Sequence, residues 1–469
     1  MASDSEESPM LEPTAHESID DRFVPHQKRW ILFHVSFVGL LAMFVQVTFV
    51  PSIPQIAKDL NVTDAVVSLA FSLSIFANAI GELIWSTYSS FFFEFNPSLS
   101  DGRRPIYLWG MPFLCVGSCG VALSASLQSL LFWRFVQMFG CSGALSLGAG
   151  VIGDIYKLEE RGTAIGAFVS VTIIGYAVAP FVGGAATQYW SWRNLHYSIG
   201  AWGLLEMLFI YLSFPETTHP GTLGIDKLPS RRSMHIAWIN PLSSLWLLRS
   251  PNLFAVMLVS TIITNTNYIL LVPLAYTIGV RYGITNEAII GAFFLPNGLG
   301  SFTGALIAGR LSDTVVRRWR EKRGGAWCPE DRLRAAWIGG FIVPLSIGAS
   351  GLITTYIGGP IGLGLNILCL YANGVGVDLV LNPINTYNVD VMHSRSAEAT
   401  AACMASRSLI MSAATAVIVP SIERMGVAWT DIIAAVFAVI GQWILSLTIR
   451  YGDRMRASID VGFSTLENN

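Results

Sequence analysis

Gly166-Ala-Phe-Val-Ser-Val-Thr-Ile-Ile-Gly175-Tyr-Ala-Val-Ala179-Pro180-Phe-Val-Gly183-Gly184 is apolar enough to cross a bilayer, yet it is built from residues that weaken an isolated helix. Gly175, Ala179 and Gly183 recur every four residues, so on a helix they form one smooth stripe that admits a neighbouring backbone. Pro180 cannot donate to the carbonyl of Tyr176 and is expected to bend the helix there. A membrane tolerates such residues only where adjacent helices satisfy the freed backbone groups. The stretch therefore predicts one span of an all-α polytopic membrane protein, a span used for packing and bending.

Composition agrees. The 469 residues are 52% hydrophobic and 13% charged, with a mean hydropathy of +0.53, whereas soluble domains carry about 25% charged residues. Cys115, Cys119, Cys141, Cys369 and Cys403 lie in apolar runs without a CxxC pair or a His cluster, which argues against a disulfide framework or a metal site. No nucleophile constellation, phosphate loop or dinucleotide fingerprint occurs, so enzyme and nucleotide-driven pump readings lack support and no cofactor is expected.

Apolar runs near the roughly 20 residues a crossing needs place spans at about Trp30–Val50, Val66–Phe92, Pro105–Ala125, Leu130–Ile155, Gly162–Tyr189 and Leu195–Phe214. Six more follow at about Leu253–Ile278, Glu287–Gly309, Ala335–Tyr356, Ile361–Tyr387, Ala399–Val419 and Asp431–Arg450. The expected organisation is an acidic disordered tail (1–29), a first six-helix half (30–214), a polar linker (215–252), a second half (253–450) and a short tail (451–469). Lys and Arg concentrate in the tails and even-numbered loops; the odd-numbered loops hold only Lys58, Arg193, Arg281 and Arg424. That bias predicts that both termini are cytoplasmic.

An internal repeat supports two halves. Leu99-Ser100-Asp101-Gly102-Arg103-Arg104 follows span 2, and Gly309-Arg310-Leu311-Ser312-Asp313-Thr-Val-Val-Arg317-Arg318 follows span 8. Parallel duplication of this kind is one layout of secondary transporters, with the substrate site near mid-membrane between the halves.

On these residues the chain resembles the major facilitator superfamily, and within it the twelve-span drug:proton antiporters common in fungi. Gly166, Gly175, Pro180, Gly183 and Gly184 match that group's antiporter motif, Gly-x8-Gly-x3-Gly-Pro-x2-Gly-Gly, with Ala179 in place of one Gly. Leu131, Arg134 and Gln137 resemble its fourth-span motif, although Met138 replaces a Gly. The second-half loop follows the family's Gly-x-Leu-x-Asp-Arg-x-Gly-Arg-Arg pattern, whereas the first-half loop is shortened between Asp101 and Gly102. The resemblance implies two six-helix halves related by pseudo-twofold symmetry. It also implies a cytoplasmic latch at Asp313, Arg310 and Arg317, echoed by Asp101 and Arg103, and a proton-transfer part for Arg134. Ordinary topogenic loop charges are the competing reading. A second small-residue stripe, Gly300, Gly304 and Ala308, is expected to meet the Gly175–Ala179–Gly183 stripe, because spans 5 and 8 adjoin across the halves in this family.

A proton-coupled carrier needs a carboxyl or His whose protonation changes between its two open states. Ionisable groups inside spans cost about 2.5 to 3.5 kcal/mol each and mark function more often than chance. They are His34, Glu82, Arg134, Glu206, Asp378 and Arg407. Asp378 stands between Gly376 and Asn382-Pro383, a weakened helix; a structural hydrogen bond is its alternative role. Glu82 is a candidate that an interfacial position would explain equally well. Arg407 either pairs with Asp378 or binds an anionic substrate. Asn265, Asn267 and Tyr268 supply hydrogen bonds expected to face the cavity. The functional expectation is proton-coupled export of small organic molecules by alternating access, from a monomer in the cell membrane, with the bilayer, protons and a small substrate as partners and no nucleic acid. An organic-acid carrier and a transport-inactive sensor are the alternatives.

Overall fold

The computed structural model describes residues 22–90, 103–156, 158–217, 242–325, 328–392 and 396–459. Among these, eleven helices are long and apolar enough to cross a bilayer. Another crossing is split: Leu127–Cys141 and Ala144–Ile155 meet at Ser142 and Gly143, and neither piece alone covers the roughly 30 Å hydrocarbon core. With this fourth span the expected twelve are present, and no strand occurs among the described residues.

Span 1 is Pro25–Val47, continued after a short turn by Ile53–Leu60. Spans 2, 3, 5 and 6 are Asp64–Ser90, Arg103–Leu123, Leu158–Tyr189 and Trp192–Ser213. Span 7 is Pro251–Leu271 with a wide turn at Ala275–Gly279, and span 8 is Glu287–Ala292 continued by Phe294–Lys322. Spans 9 to 12 are Trp337–Tyr356, Gly359–Val391, Ser396–Met425 and Val427–Ser458. Most of the 215–252 linker and the outer parts of both tails lie outside the described residues, as does Asp101.

The interruptions have local causes. Span 1 breaks where Pro51 and Pro54 withhold backbone donors, and span 7 loosens after Pro273, whose carbonyl accepts from Tyr276 and Thr277 N–H. Side chains cap the tight entries: Ser126 accepts from Ser129 N–H, Ser191 from Arg193 N–H, and Asn286 from Ala288 and Ile289 N–H. Pro180 does not end span 5, which stays helical through it. The Asn382-Pro383 weak point likewise lies inside an unbroken span 10.

An even number of crossings puts both ends of the chain on one side, here the terminal side; the other is the far side. One apolar core joins Leu41, Val45, Phe49 and Phe71 of the first half to Leu270, Leu271, Val272, Leu274, Ile278, Ile290 and Phe293 of the second. A second core contains second-half residues, among them Leu253, Leu333, Ile384 and Tyr387, with Leu247 from the end of the linker and none of the described residues of the first half. The far-side ends of spans 7 and 8 are thus fused with the first half, and the terminal-side core of the second half is its own.

The expected meeting of the two small-residue stripes is corrected by this packing. A Cβ on Gly175 would lie 2.8 Å from the Leu40 carbonyl oxygen, and one on Gly183 would lie 2.4 Å from that of Thr48, so this stripe holds span 1 within the same half. Thr48 Oγ1 also donates to the Ala179 carbonyl at 3.0 Å. Gly300 and Gly304 face Tyr371 and Val375 of span 10, and Ala308 is fully buried. Spans 5 and 8 do touch, through other residues. Cβ atoms on Gly184, Gly291 and Gly298 would reach 2.2 Å from Glu287 O, 2.3 Å from Pro180 O and 2.2 Å from Ala177 Cβ. The family resemblance that spans 5 and 8 adjoin holds, but four-residue spacing gives a helix face without giving its partner, and each small-residue face packs within its own half.

Candidate functional site

Mid-depth polar groups converge on the seam between the halves. Gln46, at the last turn before span 1 breaks, donates from Nε2 to the Tyr268 hydroxyl of span 7 at 3.2 Å. Phe71 of span 2 lies against the same ring, 5.7 Å between centroids. About two to three turns toward the terminal side on the same helix, Asn78 Nδ2 donates to Glu82 Oε1 at 2.9 Å, while Glu82 Oε2 is buried without a hydrogen-bond partner. Arg407 of span 11 lies within electrostatic range of both Glu82 and Tyr268. Tyr176, the residue after Gly175, interacts likewise with Tyr268 and Asp378. Asp378 lines the seam beside Ser301 of span 8, at the height where Gly304 lets span 8 approach closely. Asp378, Arg407, Tyr176 and Tyr268 are only partly buried. The first half thus contributes Gln46, Glu82 and Tyr176, and the second Tyr268, Asp378 and Arg407. Glu82 and Arg407 sense each other across the seam without forming an ion pair among the described residues, and Asp378 is bonded to Ser301 rather than paired with Arg407.

The neighbouring amides of span 7 divide. Asn267 Oδ1 accepts from Asn297 Nδ2 at 3.0 Å, and Asn297 also donates to the Leu370 carbonyl, so Asn297 ties spans 7, 8 and 10 together and Asn267 is engaged in that packing. Asn265 Oδ1 is buried and unbonded.

Arg134 lies elsewhere. It is 0% exposed and donates to the carbonyls of Val45 (3.2 Å) and Gln46 (3.3 Å) and to Gln137 Oε1 (2.6 Å), with its guanidinium 4.5 Å from the Phe49 ring centroid. Those carbonyls end the first segment of span 1, where helical donors run out, so a buried cation there satisfies them and the negative end of the helix dipole. Gln137 is itself held by Ser118 and His196. Arg134 therefore reaches the seam only through the backbone of Gln46.

Glu206 is also placed apart. Its Oε1 lies 3.2 Å from His34 Nδ1, both residues being 2% exposed between spans 6 and 1 of one half. The two form a pair that the sequence presented as separate candidates.

At the terminal side the loop charges form a repeated arrangement. Arg103 at the start of span 3 bonds Asp154 at the end of span 4 (3.0 Å), and Arg332, leading into span 9, bonds Asp390 at the end of span 10 (2.6 Å). Glu216 accepts from the N–H groups of Arg103 and Arg104, closing the exposed donors of span 3. Asp313 pairs with Arg332 at 3.3 Å, whereas Arg310 and Arg317 are exposed. Gly166 and Gly309 both face open space.

Reading spans by apolarity missed Gln46, Tyr176, Asn297, Arg332 and Asp431. Gln46 carried a usable signal, a polar residue just ahead of two prolines; Tyr176 was inside the stretch already singled out. Asp431 marked a span boundary in the sequence, yet it is 3% exposed against Gly351.

The one group of three candidate metal-binding side chains among the described residues is Cys328, Glu330 and Asp453. Arg456 already pairs with both acids. Burial, reinforced by Glu330, pushes the Cys328 thiol up to about 11, so it offers no thiolate at neutral pH. The cluster reads as an ion-pair knot.

Comparison with known proteins matches this geometry to a family. The family model described as Major Facilitator Superfamily matches residues 35–415. Efflux pump radE of Floropilus chiversii is 25% identical over 459 residues, covering 92% of this chain and 82% of that protein. Citrate exporter 1 of Aspergillus niger is 25% identical over 346 residues, covering 67% of this chain and 64% of the exporter's length. Among solved structures, a bacterial homolog to the human lysosomal transporter Spinster superposes with a TM-score of 0.67 at 15% identity, over 92% of this chain and 99% of that one. That likeness speaks to the fold.

Proposed function

Because the chain belongs to the Major Facilitator Superfamily and is thus a multi-pass transporter of small molecules, we propose that it exports small organic molecules in exchange for protons. The observation that carries this reading is the seam itself: Gln46 bonds Tyr268 across it, and Glu82 and Tyr176 of the first half lie within electrostatic range of Arg407, Tyr268 and Asp378 of the second, where the two halves must part and close. Glu82 and Asp378 are the proposed proton carriers. A carboxylate that pairs with Arg407 or with a cationic substrate in one state, and takes a proton in the other, couples the two fluxes. The names of the efflux-pump relatives support export, and the Lys and Arg bias supports a cytoplasmic terminal side.

Efflux profiling tests the reading, in a host stripped of its own exporters, with Asp378→Asn and Glu82→Gln beside the wild type. Loss of efflux in both variants with normal membrane insertion is expected; undiminished efflux in both would refute their role.

A second reading, an organic-acid carrier, is favoured by Arg407 on the seam and by the citrate-exporter relative. Competition decides between them: inhibition by carboxylates but not by hydrophobic cations supports the acid carrier. The transport-inactive alternative rested on the shortened first-half loop. Arg103 nevertheless makes with Asp154 the pair that Arg332 makes with Asp390, and this favours a working transporter.

A further inference from the structure

Span 8 is longer than its membrane crossing needs. Phe294–Lys322 is one unbroken helix, and about 20 residues suffice for the hydrocarbon core. The segment after Arg310 therefore continues for about 18 Å along the helix axis. Its sequence, Arg310 to Arg323, holds Arg310, Arg317, Arg318, Arg320, Lys322 and Arg323 against Asp313 and Glu321.

Which way this basic segment faces follows from what packs on it. Gly300 and Gly304 turn one side of span 8 to span 10, and Gly298 turns the next to span 5. The remaining side carries Leu299 and Leu306, which are 59% and 54% exposed, and Ile307, 51% exposed, lies at its edge toward span 10. Apolar side chains this exposed on a membrane span face lipid. At helical spacing the stripe continues from Leu299 and Leu306 to Arg310 and Arg317, and Arg318 flanks it about a quarter-turn round, in line with Ile307. All three arginines are exposed, and none has a carboxylate within ion-pair distance among the described residues.

The far face of the extension is anchored. Trp319, half a turn round from Arg310, takes the Arg334 guanidinium 3.8 Å above its ring and lies beside Lys322 and Arg323. Asp313, at the edge of the stripe, is held by Arg332. Arg323 and Arg334 are both held by Asp331. Acidic neighbours are thus engaged elsewhere, except Glu321 on the stripe itself, and the extension cannot roll its arginines inward without breaking these contacts.

We propose that Arg310, Arg317 and Arg318 form a binding surface for anionic phospholipid headgroups in the terminal-side leaflet. The stripe leaves the acyl region at Ile307 and enters the headgroup region at Arg310, so the lipid whose chains line Leu306 presents its phosphate to these guanidinium groups. The assignment goes beyond the transport reading and does not depend on it. It also gives Arg310 and Arg317 a partner other than the latch implied by their motif, since Arg332 occupies Asp313.

The test is native mass spectrometry of the full-length, delipidated protein titrated with an equimolar mixture of phosphatidylserine and phosphatidylcholine. The wild type is expected to retain phosphatidylserine in preference. Arg310→Gln/Arg317→Gln/Arg318→Gln is expected to lose that preference. The matching triple Lys variant keeps it, and Arg281→Gln/Arg424→Gln on the far side leaves it unchanged. Glycerophosphoserine, the headgroup without chains, is expected not to displace the lipid. A wild type without preference, a Gln variant that retains it, or displacement by the soluble headgroup would each overturn the proposal.

Discussion

Gln46 in the first half donates a hydrogen bond to the hydroxyl of Tyr268 in the second at 3.2 Å, beside the break in span 1. The bond crosses the surface on which the halves must move. Replacing Tyr268 with Phe keeps the ring against Phe71 and removes only the acceptor. A neutral hydrogen bond is worth about 1 kcal/mol, or roughly fivefold in an equilibrium. Tyr268→Phe is expected to shift the population by that factor toward a far-side-open state. Spin labels on the far-side ends of spans 2 and 11 would read the shift; an unchanged distance distribution would count against the bond as a latch.

Glycines separate seam packing from packing within a half. Gly184→Ala and Gly298→Ala place methyl groups into the contact between spans 5 and 8. Such overpacking costs about 1 to 3 kcal/mol, borne by the far-side-closed state, so transport should fall while thermal stability holds. Gly175→Ala presses on span 1 inside one half and should lower the thermal midpoint instead. Gly166→Ala and Gly309→Ala face open space and should be neutral or slightly stabilising, by about 1 kcal/mol at most. Thermal unfolding alongside transport distinguishes the three groups.

Arg134 should behave as a structural group first. Arg134→Met leaves the carbonyls of Val45 and Gln46 and the amide of Gln137 without their donor, at about 1 to 3 kcal/mol for each acceptor left bare. A marked fall in thermal midpoint is expected, partly recovered by Arg134→Lys. A variant as stable as the wild type would contradict this account.

Cys328 gives a pH-dependent reading outside the membrane. Burial and Glu330 hold its thiol up to about 11, so the reactive thiolate is scarce at pH 8 and grows as pH rises toward that value. In a protein with its other cysteines replaced by serine, alkylation should be slow at pH 8 and accelerate through pH 10. Glu330→Gln should hasten it, by removing one of the groups that disfavour the anion. Fast labelling at pH 7 would refute the assignment.

Much of the fold was legible because apolar run length and Lys and Arg placement depend on the bilayer and on no particular contact. Span 4 shows the limit: its crossing was evident, but the interruption at Ser142 and Gly143 depends on the close approach of Trp85. In the site, Asp378, Glu82, Arg407 and Tyr268 stood out since charged or aromatic polar groups are conspicuous in apolar runs, and the structure brings them to one seam. Arg134 and Glu206 stood out equally and lie elsewhere, because charge content does not reveal which helix face is turned to the other half. Gln46 and Tyr176 were hidden for the converse reason, being ordinary residues made important by their neighbours. The loop motif named Asp313 and Arg317, but the partner of Asp313, Arg332, comes from beyond span 8, at a distance that no local pattern records.

The central claim, that export is exchanged for protons at carboxylates on the seam, is tested most directly by proton flux in sealed proteoliposomes containing the full-length protein and an internal pH dye. With a substrate identified by efflux profiling, an imposed substrate gradient should drive protons in the opposite direction in the wild type, and Asp378→Asn should abolish the proton movement. Substrate movement at an unaltered rate with no accompanying proton flux in the wild type would contradict the account.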